Sequence, residues 1–168
     1  IVMRRPGTFS GMAFPATRMR RLRASSGIRD LVRETSLSAE HLIQPLFVLL
    51  GESRSEPIES MPGVSRMTVD RTVEEARALY ELGVPAVLLF GLPDDKDAQG
   101  SGAWSADGAV QQAVAAIKSQ VPGLAVITDV CLCAYTDHGH CGVIGRDGQV
   151  DNDETLELLA RVAISHAA

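Results

Sequence analysis

The stretch TDVCLCAYTDHGHCG, residues 128–142, holds all three cysteines of the chain and two of its four histidines. Thiolates are soft donors, and the spacing C-x-C-x7-C lets three of them close on one divalent ion, because Gly139 and Gly142 give the return segment freedom to bend. Cys131, Cys133 and Cys141 with an open fourth position would make a catalytic zinc site. A fourth ligand from His138 or His140 would make it structural. Two other readings fit the same residues: redox chemistry, and unliganded buried thiols of the kind common in cytosolic cores. Each histidine can equally be a hydrogen-bonded loop residue. Asp129, just before the cysteines, can be a carboxylate of the site or a helix or loop cap.

Such a cluster needs a frame to hold it. LIQPLFVLL (42–50), AVLLFGL (86–92) and LAVITDVCL (124–132) are apolar runs without alternation, the pattern of parallel strands covered on both faces. Helical stretches separate them. Asp70 can cap a helix over 71–82, with Val73, Ala76 and Tyr80 inward and Gly83 at its end. Asp107 can cap one over 108–119, with Val110, Ala113, Val114 and Ile117 inward, and a third follows Asn152 with Leu156, Leu159 and Ala163 on one stripe. Strand and helix alternate three times, which predicts an α/β sheet with right-handed crossovers. Pro45 is awkward for a central strand and predicts a bend or bulge there. MPGV (61–64) reads as a type II turn and VIGRDGQV (143–150) as a hairpin around Asp147-Gly148. The cysteines thus fall in a long loop after the third strand, and loops at the carboxyl ends of parallel strands build active sites. If the third strand runs through the cluster, Asp129, Cys131 and Cys133 share one face of it.

Composition narrows the function classes. At 168 residues with 45 % hydrophobic and 22 % charged residues, the chain has the balance of one soluble globular domain. No stretch reaches the roughly 18 apolar residues of a membrane span, so the expected location is the cytoplasm and no membrane partner is expected. Residues 1–23 carry six arginines and no acid; the remainder holds 10 bases against 21 acids, a net −11. A basic arm on an acidic body can dock on a neighbouring subunit, or be a solvated terminus. A nucleic-acid partner is not expected, because Gly, Pro and Met interrupt the arm and Phe9 and Phe14 are its only aromatics.

DVCLCAYTDHGHCG resembles the metal loop of the 5-aminolevulinate dehydratase (porphobilinogen synthase) family, and the likeness extends beyond it. TRMRRLR is similar to that family's N-terminal arm, QPLFV to its first barrel strand, SMPGV to its first insertion, LFGLPDDKDAQGS to its second strand and loop, and GQVDNDETLELL to the run into its third helix. The resemblance covers roughly residues 17–168. It implies a partial TIM (β/α)8 barrel: an extended arm (1–23), then the first three βα units of one domain (24–168). It further implies a cytoplasmic lyase of heme and tetrapyrrole biosynthesis that condenses two 5-aminolevulinate molecules into porphobilinogen with loss of water. Cys131, Cys133 and Cys141 match the family's zinc ligands and Asp129 its active-site carboxylate. A homo-octamer whose arms embrace neighbours, often with an allosteric magnesium, belongs to the same implication.

A complete barrel of this kind takes about 250 residues, so the chain reads as a truncated N-terminal part. Ile1 in first position implies a start upstream of the natural initiator or within a larger reading frame. The family's two Schiff-base lysines are expected beyond Ala168. Lys96, in an acidic loop, and Lys118, on an outer helix face, read as surface residues, and the chain alone is expected to be inactive. Three strands cannot close a barrel, so the first and third are expected to leave open edges. The alternative is a stand-alone zinc-binding or redox α/β module without condensation activity.

Overall fold

The computed structural model of the chain describes residues 20–168, in two units that divide between Leu37 and Ser38. Of the arm expected over residues 1–23, residues 1–19 lie outside the described residues. The first unit contributes a 3-10 turn at Arg21–Arg23 and helix α1 (Ser26–Leu31), whose N-cap Ser25 accepts a hydrogen bond from the Ile28 N–H at 3.3 Å. Leu22, Ile28, Leu31 and Val32 are exposed, so this six-residue helix buries no core of its own.

The second unit is built on a five-stranded sheet. β1 (Ile43–Leu49) leads to an antiparallel pair, β2 (Ser55–Pro57) and β3 (Ser65–Thr68), joined by the expected type II turn: the Val64 N–H donates to the Met61 carbonyl at 3.0 Å and Gly63 has φ +83°. Helix α2 (Val69–Glu81), β4 (Ala86–Leu92), helix α3 (Ala109–Gln120), β5 (Ala125–Thr128) and helix α4 (Asn152–Ala167) follow. The strand order is β2-β3-β1-β4-β5, with β3, β1, β4 and β5 parallel. The sheet is open. Its open edges are β2 and β5: the third predicted strand is an edge as expected, whereas the first is not, because β3 covers part of the outer side of β1.

The expectation of strands covered on both faces holds for one face only. Leu46, Val48, Val87 and Leu89 point to one side and are buried against Val73 and Ala76 of α2 and Val110, Ala113 and Ile117 of α3. On the other side Phe47 stacks on Phe90, ring centroids 5.5 Å apart, and stays half-buried because the sheet does not close over it. Pro45 causes no bulge: β1 keeps unbroken register with β4 from Ile43↔Ala86 to Leu49↔Leu92, and the β3 ladder begins only at Phe47, beyond the proline.

The helices sit where the sequence predicts them, with different fixings. Neither Asp70 nor Asp107 caps a helix; the N-caps are Thr68 and Gly108. Asp70 is occupied elsewhere, accepting from the Thr68 hydroxyl at 2.6 Å and the Ser53 N–H at 3.1 Å, which ties the loop after β1 to the start of α2. Tyr80, expected inward, is 46 % exposed. In α4 the buried stripe is Thr155, Leu158 and Val162, while Leu156 and Ala163 are exposed. The helix is rotated by one position because Thr155, although polar, has its hydroxyl satisfied inside: it donates to the Asp151 carbonyl and accepts from the Val143 N–H at 3.0 Å. Leu158 and Val162 then join Ala103 and Leu132 in a second core cluster over the strand ends. Among the described residues no helix is long and apolar enough to cross a membrane.

Candidate metal centre

The cysteines lie beyond β5, not on it. Pairing with β4 ends at Leu89↔Thr128, after which the Asp129 N–H still donates to the Leu89 carbonyl at 3.2 Å. Leu132 then turns inward and is fully buried in the second cluster. Shared strand faces therefore do not set the cysteine geometry. A folded loop does.

That loop brings the three thiols together: the sulfurs of Cys131, Cys133 and Cys141 all lie within 4.8 Å of one another, with Cys131 and Cys133 at 3.4 Å. All three are free thiols; Cys131 and Cys133 are half-buried and Cys141 is exposed. Among the described residues no histidine or carboxylate shares that spacing. His138 is engaged in the loop itself, its Nδ1 accepting from the His140 N–H and its Nε2 lying against the Ala98 carbonyl oxygen, both at 3.2 Å. This is the hydrogen-bonded role the sequence left open for it.

The electrostatics of each thiol is set by its neighbours. The hydrogen bond with Cys131, followed by burial, pushes the Cys133 thiol up to about 12. Cys141 is also raised, first by its contact with Cys131. Crowded thiols hold one another neutral, and a divalent cation at their centre reverses that preference by stabilising each thiolate. Three soft donors at this spacing would suit zinc by ligand type. Asp129 stands close enough for its charge to act on Cys141, and on the half-buried Tyr135, whose hydroxyl is pushed up to about 12 mainly by burial.

Residues that the motif reading passed over fix the loop to its surroundings. Asp97, in the loop after β4, forms a parallel bridge with Thr136: its N–H donates to the Tyr135 carbonyl at 3.3 Å and its carbonyl accepts from the Asp137 N–H at 3.1 Å. The Asp97 carboxylate is folded onto its own loop, accepting from the Gln99 N–H at 2.8 Å and from Ser101. The hairpin expected at 143–150 closes on the Ile144↔Val150 bridge, with Gly148 at φ +78°. The visible signal for this scaffold was the glycine spacing of FGLPDDKDAQGSG, where close approach needs missing side chains.

The chain is similar to known proteins over most of its length. Residues 16–168 match the profile of the family described as delta-aminolevulinic acid dehydratase. The protein of that name from Synechococcus elongatus is 49% identical over 157 residues, covering 92% of this chain and 48% of the relative. That from Methanothermus sociabilis is 51% identical over 156 residues, covering 93% and 48%. The crystal structure of delta-aminolevulinic acid dehydratase (porphobilinogen synthase) from Toxoplasma gondii, in complex with the reaction product porphobilinogen, superimposes with a TM-score of 0.84 at 35% identity, covering 90% of this chain and 44% of that one. The chain thus spans about half the length of the curated relatives it matches, and the expected α/β fold is part of that larger one, with the sheet left open. By its profile, its relatives and its fold, the chain belongs to the delta-aminolevulinic acid dehydratase family.

Proposed function

We propose that this chain carries the metal-loop half of a porphobilinogen synthase, a lyase that condenses two 5-aminolevulinate molecules into porphobilinogen with loss of water. The observation that carries the reading is the meeting of Cys131, Cys133 and Cys141 within 4.8 Å beside Asp129, at the carboxyl end of a parallel sheet. In this reading the three thiolates hold zinc. When bound, zinc supplies a Lewis acid that polarises a substrate oxygen. Asp129 offers a carboxylate to the amino group of the substrate, orienting it and taking up its proton at a carboxylate oxygen. Tyr135, kept protonated, adds no second negative charge to that of Asp129.

The chain's own lysines do not suit Schiff-base chemistry. Lys96 and Lys118 are both exposed, one in the loop after β4 and one on the outer face of α3, so neither is buried on a strand where a substrate carbonyl could be enclosed against it. The homo-octamer joined through the arm, the allosteric magnesium and the cytoplasmic location belong to the same proposal; the contrast between the basic arm and a body of net −11 supports the docking. Nucleic acid and membranes have no part in it.

A chimera tests the proposal. Residues 16–168 joined to the remaining half of the Synechococcus elongatus relative are expected to form porphobilinogen from 5-aminolevulinate, and to lose that activity when Cys131 and Cys133 are replaced by alanine. Borohydride trapping should leave substrate on neither Lys96 nor Lys118. A folded, zinc-loaded chimera without product, or substrate fixed to Lys96 or Lys118 with turnover, would contradict it.

A further inference from the structure

We propose that Tyr135 is a positioning residue for the cysteine centre: its ring plugs a socket that Gly91, Gly100 and Gly102 leave open, and the plug sets where the three thiols stand. The inference rests on the metal reading above for its ligand. Its geometry is independent of that reading.

Three glycines from β4 and the loop after it meet three different parts of one side chain. A methyl group on Gly91 would fall on the Tyr135 hydroxyl, 3.2 Å from its Cζ and 2.7 Å from Val110 Cγ2. On Gly100, which has φ +70°, it would lie 3.2 Å from Tyr135 Cβ and 3.3 Å from Thr136 Cγ2. On Gly102 it would lie 3.4 Å from Tyr135 Cδ1, an ordinary contact. The far end, the root and one edge of the ring are thus each enclosed by backbone, and Tyr135 packs with Ala103, Leu132 and Trp104 in the second core cluster.

From the plug the constraint passes along the loop in both directions. Backward, the Tyr135 N–H donates to the Leu132 carbonyl at 2.8 Å, and Leu132, fully buried, stands between Cys131 and Cys133. Forward, Thr136 is 1 % exposed and its hydroxyl donates at 2.8 Å to the carbonyl of His140, the residue before Cys141. Sideways, the Tyr135 carbonyl accepts from the Asp97 N–H, which joins the cysteine loop to the loop after β4. A fourteen-residue excursion from Asp129 to Gly142 has many conformations, and it presents three sulfurs to one point only while such anchors hold.

The test uses the full chain and three readouts: zinc affinity by chelator competition, the thiolate-to-metal absorption of the cobalt-substituted protein, and capture of arsenite by the metal-free protein, followed by mass spectrometry. Arsenite needs adjacent thiols but no zinc. Gly91→Ala is expected to weaken zinc binding by about ten- to a hundredfold, the range for groups that orient ligands, and to slow arsenite capture. Gly102→Ala should stay within about twofold of the parent on this contact distance. Adding Tyr135→Phe to Gly91→Ala removes the hydroxyl that the new methyl meets and should recover part of the loss. Should Gly91→Ala fail to fold, Tyr135→Leu, which empties the socket without a clash, is expected to show the same loss with an unchanged far-ultraviolet spectrum. Parent-like zinc affinity and arsenite capture in folded Gly91→Ala or Tyr135→Leu would overturn the proposal. A parent chain that takes up arsenite but no zinc, with capture lost in Gly91→Ala, would end the zinc reading and leave the plug standing.

Discussion

Replacing Cys131, Cys133 or Cys141 by alanine is expected to weaken zinc binding by at least about a hundredfold. Structural zinc sites of this ligand type bind with about 10–16 kcal/mol, so each of three or four ligands carries about 3 kcal/mol, and 1.4 kcal/mol is a factor of ten. The loss should be similar at all three positions, since their sulfurs share one cluster within 4.8 Å. Acid should act in the same direction as mutation. With Cys133 raised to about 12 and Cys141 also raised, both thiols hold their protons at neutral pH, and a cation must displace them. Zinc uptake therefore releases protons, and apparent affinity falls as pH is lowered from 8 to 6. Chelator competition at the two pH values measures both effects, and the pH dependence should flatten in Cys133→Ala. Full zinc content in any single variant would remove that residue from the ligand set.

The largest effect on stability is expected at Leu89. It is fully buried in the middle of β4, between Leu46 of β1 and Thr128 of β5, and it faces the α2–α3 layer. Leu89→Ala deletes three buried carbons and leaves a cavity that a parallel ladder on both sides cannot collapse to fill, at a cost of about 3–4 kcal/mol. With a urea slope of about 2 kcal/mol/M, the midpoint should drop by about 1.5–2 M. Leu156→Ala on α4 removes the same atoms from a side chain that is 55 % exposed and should stay within about 0.5 kcal/mol of the parent. Equal losses at both positions would place Leu156 on the buried stripe and restore the face that periodicity alone selects.

That contrast shows what can and cannot be read from such a sequence. β1 and β4 are legible to within a residue because LIQPLFVLL, Gln44 apart, and AVLLFGL are apolar runs, and a buried ladder needs nothing else. The third run misleads by the same rule. LAVITDVCL returns to apolar residues after Asp129 and reaches Leu132, but pairing stops at Thr128, and Leu132 is buried by Ala103, Leu158 and Val162 instead. Apolar character reports burial and not the partner that provides it. Asp70 fails as a cap because Ser53 and Thr68 hold its carboxylate, and Ser53 is 17 positions away. β2 and β3 are too short and polar to announce themselves. The metal cluster is legible as a set of residues through its C-x-C-x7-C spacing, but its geometry is not, because it depends on a glycine socket contributed by β4 and the loop that follows it.

X-ray absorption at the zinc edge of the metal-loaded chain tests the central claim most directly, because it counts the atoms around the ion without reference to activity. The account predicts three sulfur neighbours at about 2.3 Å and one lighter oxygen or nitrogen neighbour at about 2.0–2.2 Å, the sulfurs supplied by Cys131, Cys133 and Cys141. A first shell of oxygen and nitrogen alone, or of one sulfur, would contradict it.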